Sequence, residues 1–127
     1  MYVLVHPGLE HDPAEKQNEI GVIAYADLPR DDVFVRFDDG AQGLYSADAL
    51  LMLMSAEQVH QYLSDMAYDV AFTDLKPLVQ IDLFLRYGSA DKQRTALELA
   101  RSNKNIQQFS LETLENKLEI HQSRGYE

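Results

Sequence analysis

His6, Glu10, His11 and Asp12 fall close together near the start of the chain, and imidazole and carboxylate groups are the common protein ligands for zinc and similar ions. A firm site takes three or four ligands at motif spacing, as in two histidines one helical turn apart, and that spacing is absent here. The segment reads as a solvated polar loop, and no metal is expected. Two further pairs, Asp31-Asp32 and Asp38-Asp39, are the residue type used in general acid/base catalysis or Mg²⁺ binding. Both stand in turn-forming sequence, where aspartate serves by bonding its own backbone. His60 sits beside an apolar helical stripe, and His121 stands near the end of a predicted helix, where the dipole favours it. With no cysteine there is no thiolate nucleophile, thiolate zinc site or disulfide. Nucleophile elbows, phosphate loops and dinucleotide fingerprints are also absent. The sequence therefore assigns no catalytic residue and no cofactor. An enzyme of unrecognised type would betray itself by a deep polar pocket holding titratable groups with displaced pKa values.

Two groups of residues suit binding. Tyr25, Phe34 and Tyr45 fall on strands able to pair, where their rings either fill a barrel interior or stack into a pocket for a peptide or a cationic side chain. Core is the ordinary reading of such rings. In the pocket reading, Asp27, Asp31 and Asp32 add attraction for a basic ligand. Lys92, Arg94, Arg101 and Lys104 form a second group that could meet phosphate or an acidic partner. Asp91 and Glu98 interleave with them as ion-pair partners, which is the pattern of a solvated helix face.

Charge weighs between the two. The chain has 21 acidic and 11 basic residues, a formal net charge of -10 and a pI near 4.7. Residues 1–54 hold ten acids against Lys16, Arg30 and Arg36, a balance of -7, and residues 55–127 hold eleven acids against eight bases, a balance of -3. Phosphate backbones repel a carboxylate surface, so general nucleic-acid binding is disfavoured. The expected function is a non-enzymatic protein-interaction module, an adaptor, regulator or immunity-type inhibitor with a basic protein as partner. A nucleic-acid or ribosome-associated module using Lys92 to Lys104 is the alternative. No apolar stretch reaches the roughly 20 residues needed to cross a bilayer, and Met1 to Gly8 show no secretory pattern, so a soluble cytoplasmic protein is expected.

The elements that must position these residues change character near Ser55. Tyr2 to Val5, Glu19 to Ala26, Val33 to Phe37, Gly43 to Tyr45 and Ala49 to Met54 read as short strands. On the second, Ile20 and Val22 are expected on one face and Ile23 and Tyr25 on the other. Val33, Val35 and Phe37 alternate with Phe34 and Arg36, and Asp38-Asp39-Gly40 supplies a tight turn. From Ser55 onward helical spacing takes over. Ser55 and Gln58 form a capping box, with Met54 and Val59 as its staple, and Val59, Tyr62, Leu63, Met66 and Val70 line one stripe. A second helix is predicted from about Asp74 to Tyr87, with Pro77 in its first turn and Gly88 at its end; apolar nearly all round, it should be central. Ser89 caps a third, Ala90 to about Ser102, with Ala96, Leu97 and Ala100 as its packing face. A fourth carries Leu111, Leu114, Leu118 and His121, and Ser123 to Glu127 should fray.

Gly-Val-Ile near Gly21, Val-Phe-Val-Arg-Phe-Asp-Asp-Gly from Val33, Gly-Leu-Tyr from Gly43 and Asp-Ala-Leu from Asp48 together resemble the small barrels of the Src homology 3-like type, Tudor and KOW variants included, over residues 19–53. That resemblance implies a binding module using aromatic residues and loops at one rim. The fold class expected is α+β: an N-terminal small antiparallel β-barrel of four or five short strands (1–54), then a bundle of about four helices (55–127), packed as one compact unit.

Overall fold

The computed structural model of the chain describes residues 1–12, 14–66 and 72–118. Val70 and His121, and the expected fraying of Ser123 to Glu127, lie outside them. The fold is α+β. Strands β1 (Tyr2–Val5), β2 (Ile20–Asp27), β3 (Asp32–Phe37), β4 (Gln42–Tyr45) and β5 (Leu50–Leu53) precede helices α1 (Ala56–Met66), α2 (Phe72–Tyr87), α3 (Ala90–Ser102) and α4 (Lys104–Ser110). A sixth strand, β6 (Leu111–Thr113), follows, and residues 114–118 make a further helical turn. The chain divides into two compact units, Met1–Met52 with the described residues from Glu112 on, and Leu53–Leu111.

The sheet runs in the order β4-β3-β2-β1-β5-β6. The expected barrel is not formed. Closure would require the two outermost strands to pair with each other, but among the described residues β4 bonds only β3, and the strand at the far end is β6, drawn from beyond the helices. Sequence reading placed Leu111 on a fourth helix, so this strand was not foreseen. One sheet face is sealed in another way. Val3, Val5, Val33, Val35, Phe37, Tyr45, Leu50 and Met52 cluster with Leu114, and Leu118 packs against them. The alternation of β3 explains its share: Val33, Val35 and Phe37 point inward, while Phe34 and Arg36 are exposed. The β3–β4 turn forms where the sequence put it. Gly40 takes φ +86°, a conformation open to glycine at little cost, and the Asp39 carboxylate accepts the Ala41 N–H at 2.9 Å.

The long connection from β1 to β2 is tied down by one buried carboxylate. Asp12 accepts N–H bonds from Ala14 and Lys16, each 2.9 Å, and the Tyr45 hydroxyl from the sheet. Lys16 then bonds Asp39 at 2.5 Å and lies 5.7 Å from the centre of the Phe37 ring. The Asp39 bond comes first among the causes that raise the Lys16 pKa, and the same bond holds Asp39 below the ordinary carboxylate value.

In the second unit the capping box closes as the residues require. The Gln58 N–H donates to Ser55 Oγ at 3.2 Å, the Ser55 N–H donates to Gln58 Oε1 at 3.1 Å, and Val59 is fully buried. Helix α2 starts earlier than the spacing suggests, so Pro77 stands inside it instead of in its first turn. It touches α1, α3 and α4, in keeping with a central place. Leu78 and Ile81 are buried, yet Val79, Leu83 and Tyr87, four residues apart, remain exposed because three helices do not encircle a fourth. Ser89 heads α3 through its carbonyl rather than its side chain, accepting from Lys92 and Gln93 N–H. Helix α4 was not expected: Asn103 caps it by accepting the Asn105 N–H at 2.9 Å, and near its end Ser110 is buried with its hydroxyl on the Ile106 carbonyl at 2.7 Å. Of the fourth helix expected from the sequence, Leu114 and Leu118 lie in the helical turn at 114–118, while Leu111 lies in β6.

Candidate binding site on the outer sheet face

Strands β2, β3 and β4 turn one face away from the cluster of valines, and the strand register fixes what stands there. Phe34 pairs with Tyr25 on one side and Leu44 on the other, which makes a row across three strands. The three are 60%, 39% and 49% exposed for Tyr25, Phe34 and Leu44 respectively. The Tyr25 and Phe34 rings lie 6.1 Å apart, tilted by 50°. Exposed Val22 stands in the next row, with Arg36 and Gln42, and exposed Leu28 at the end of β2 adds to the apolar surface.

Tyr25 reaches this face through a defect in the alternation. Ile23 pairs with Val35 and points toward the core, and two residues on Tyr25 should do the same. The register shifts between Ile23 and Tyr25, so one extra residue is taken up and Tyr25 turns outward beside Phe34. The expectation that Ile23 and Tyr25 share one face is corrected accordingly: Ile23 is partly buried against the core cluster and Tyr25 is exposed, whereas Ile20 and Val22, two residues apart with no shift between them, keep one face.

Of the three aromatic residues singled out by the sequence, the structure brings Tyr25 and Phe34 together and sends Tyr45 to the opposite face. Tyr45 pairs with Val33, is 4% exposed, and meets Phe37 edge-on with ring centres 6.3 Å apart. Its hydroxyl donates to Asp12, 2.9 Å from Oδ2 and 3.0 Å from Oδ1. Burial, and next the bond to Asp12, raise the phenol's pKa well above its ordinary 10.0. Tyr45 is a core residue with a satisfied polar tip. Sequence reasoning overlooked Leu44 and Val22 as members of the outer face. The signal for Leu44 was available: it alternates with Tyr45, which occupies the core face.

The row ends in negative charge. Asp27 and Asp32 are register partners on the outer face, two carboxylates directly opposed. Like charges so placed are destabilising unless a cation intervenes. Arg30 approaches Asp27 at 3.7 Å from a largely exposed position. The other acids have turn duties, Asp31 accepting the Ala47 N–H at 2.9 Å and Asp39 bonding Ala41 and Lys16.

The basic residues of the helical half each have their own neighbours. Lys92 lies 5.4 Å from the centre of the Phe84 ring and Arg94 Nε is 3.5 Å from Glu98; Arg101 is half-buried in the last turn of α3, and Lys104 is exposed at the head of α4. His60 faces Asp82 at 3.6 Å, and Arg86 bonds the same carboxylate at 3.0 Å. Near the β1 end, His6, Gly8, Leu9, Asp48 and Ala49 line a cleft of about 220 Å³. His6 Nδ1 accepts the Gly8 N–H there at 2.9 Å, and Asp48 accepts the Ser46 hydroxyl. Asp12 is committed to Tyr45 and to backbone, and among the described residues no group of three or more His, Asp or Glu side chains is gathered for a metal ion. Among them, too, no helix is long and apolar enough to cross a membrane.

Fold and face define an α+β chain whose sheet presents an aromatic and aliphatic row next to opposed carboxylates. Comparison with protein-family models, with curated proteins and with solved structures finds no match.

Proposed function

We propose that the chain is a non-enzymatic protein-interaction module that receives a basic segment of a partner protein on the outer face of β2, β3 and β4. The observation that carries this reading is the exposed row Tyr25–Phe34–Leu44 ending at the opposed Asp27 and Asp32. Contiguous exposed apolar surface is uncommon on a lone protein and marks contact sites. Two aromatic faces attract a lysine or arginine head group, and a cation placed between Asp27 and Asp32 relieves their repulsion. The -7 balance of residues 1–54 speeds encounter with a basic partner and discriminates against acidic ones, more than it tightens the complex.

The test compares the chain with its Phe34→Ser variant as bait in a lysate treated with nuclease, at low and high salt. Basic proteins held by the parent, released by salt and lost with Phe34→Ser support the reading. Retention of nucleic acid alone, or of the same proteins by the variant, refutes it.

A further inference from the structure

The apolar row reaches the border of the sheet, and the border itself is open. Among the described residues β4 is the terminal strand, paired with β3 alone. The Phe37 N–H donates to the Ala41 carbonyl at 2.9 Å, which sets the phase of the ladder. In an antiparallel pair the bonded residues alternate, so Gly43 and Tyr45, opposite Val35 and Val33, direct their backbone groups at β3. Gln42 and Leu44 direct theirs the other way, and among the described residues no strand receives them.

Sheets usually guard such an edge with lysine, proline, a bulge or a covering segment. Gln42-Gly43-Leu44-Tyr45 contains no charge and no proline, and its register with β3 runs without a shift. The edge is also fastened from its core side. Gly43 lies beneath the Tyr45 ring, where a Cβ would come within 2.5 Å of Cε2, and Tyr45 is anchored by Asp12. The strand thus offers two N–H and two C=O groups beside the exposed Leu44 side chain.

We infer that β4 is the docking edge for the basic partner: an extended segment joins the sheet as a further strand antiparallel or parallel to β4, bonding Gln42 and Leu44 and laying alternate side chains along the row begun by Tyr25 and Phe34. This rests on the proposed function and adds the mode of binding. Alternation fits the ligand chemistry, since one side chain in two meets Leu44 and the aromatic row while its neighbours turn away. Charge selects a basic segment over a second copy of this chain. The strand is bracketed by Asp38 before it and Asp48 after it, Asp39 being paired with Lys16, and a chain of net charge -10 repels its own kind.

The probe is a blocked hexapeptide alternating arginine and valine, with two derivatives N-methylated at alternate amides, one at the arginines and one at the valines. In an added strand only alternate amides face β4. One derivative is therefore expected to lose about tenfold or more in affinity while the other binds as the parent does. Amide exchange at Gln42 and Leu44 should slow on binding of the parent peptide, by about tenfold or more at saturation. Equal binding of both derivatives with unchanged exchange at β4, while Phe34→Ser still abolishes binding, overturns the edge and leaves the face standing. No binding of the parent peptide overturns both. Self-association of the chain alone, seen by sedimentation and accompanied by slowed amide exchange at Gln42 and Leu44, assigns the edge to a second copy and likewise overturns the inference.

Discussion

Tyr45→Phe removes one oxygen and leaves the ring, so it isolates the bond between the sheet and the β1–β2 connection. The Tyr45 hydroxyl has one proton to share between two oxygens of Asp12, at 2.9 and 3.0 Å, and Asp12 is 8% exposed. A hydrogen bond to a charged acceptor contributes about 1.5 to 3 kcal/mol, and the variant strands a buried carboxylate with only the Ala14 and Lys16 amides for support. The expected loss at neutral pH is about 2 kcal/mol, read by urea denaturation followed by circular dichroism. Alkali should narrow the gap. The native phenol's pKa is raised above the unfolded 10.0, so its stabilisation is whole below pH 10 and fades above it as the unfolded chain releases that proton. Lys16, also raised, fades above 10.5 in both proteins and cancels in their difference. A loss under about 0.5 kcal/mol at neutral pH would refute the reasoning. So would a loss equally large in an Asp12→Asn background, since the two residues would then be uncoupled.

Gly43→Ala should destabilise the first unit by about 1 to 3 kcal/mol, since the added methyl meets the Tyr45 ring at 2.5 Å and the ring is held by Asp12; the same melts measure it. Ser55→Ala should cost about 1 kcal/mol and speed amide exchange in the first turn of α1, because Gln58 loses its acceptor. Phe34→Ser, on the exposed face, should change stability by less than about 1 kcal/mol, so a lost partner reports on binding and not on folding; an unfolded variant in a thermal melt contradicts the placement of Phe34.

Several strands, one turn and one cap were legible because each is written in neighbouring residues. The Val33–Phe37 alternation, the Asp-Asp-Gly turn and the Ser55–Gln58 box depend on nothing more than a few residues away, and each forms in place. The aromatic group was half legible. Alternation puts Phe34 and Tyr45 on opposite faces once β3 and β4 are registered, but period two alone puts Tyr25 with Ile23 in the core, and only the bulge turns it out. β6 was hidden for a different reason. Leu111-Glu112-Thr113 is too short to show a period, and it becomes a strand because β5 offers it an edge. Sequence alone thus determined the α+β class, the acidic excess of the first half and the local elements from β1 to α3. Tertiary structure decided that the sheet stays open, which rings are core and which face outward, and that β4 ends the sheet, because those outcomes depend on pairing between segments far apart in the chain, where loop closure and register outweigh local preference.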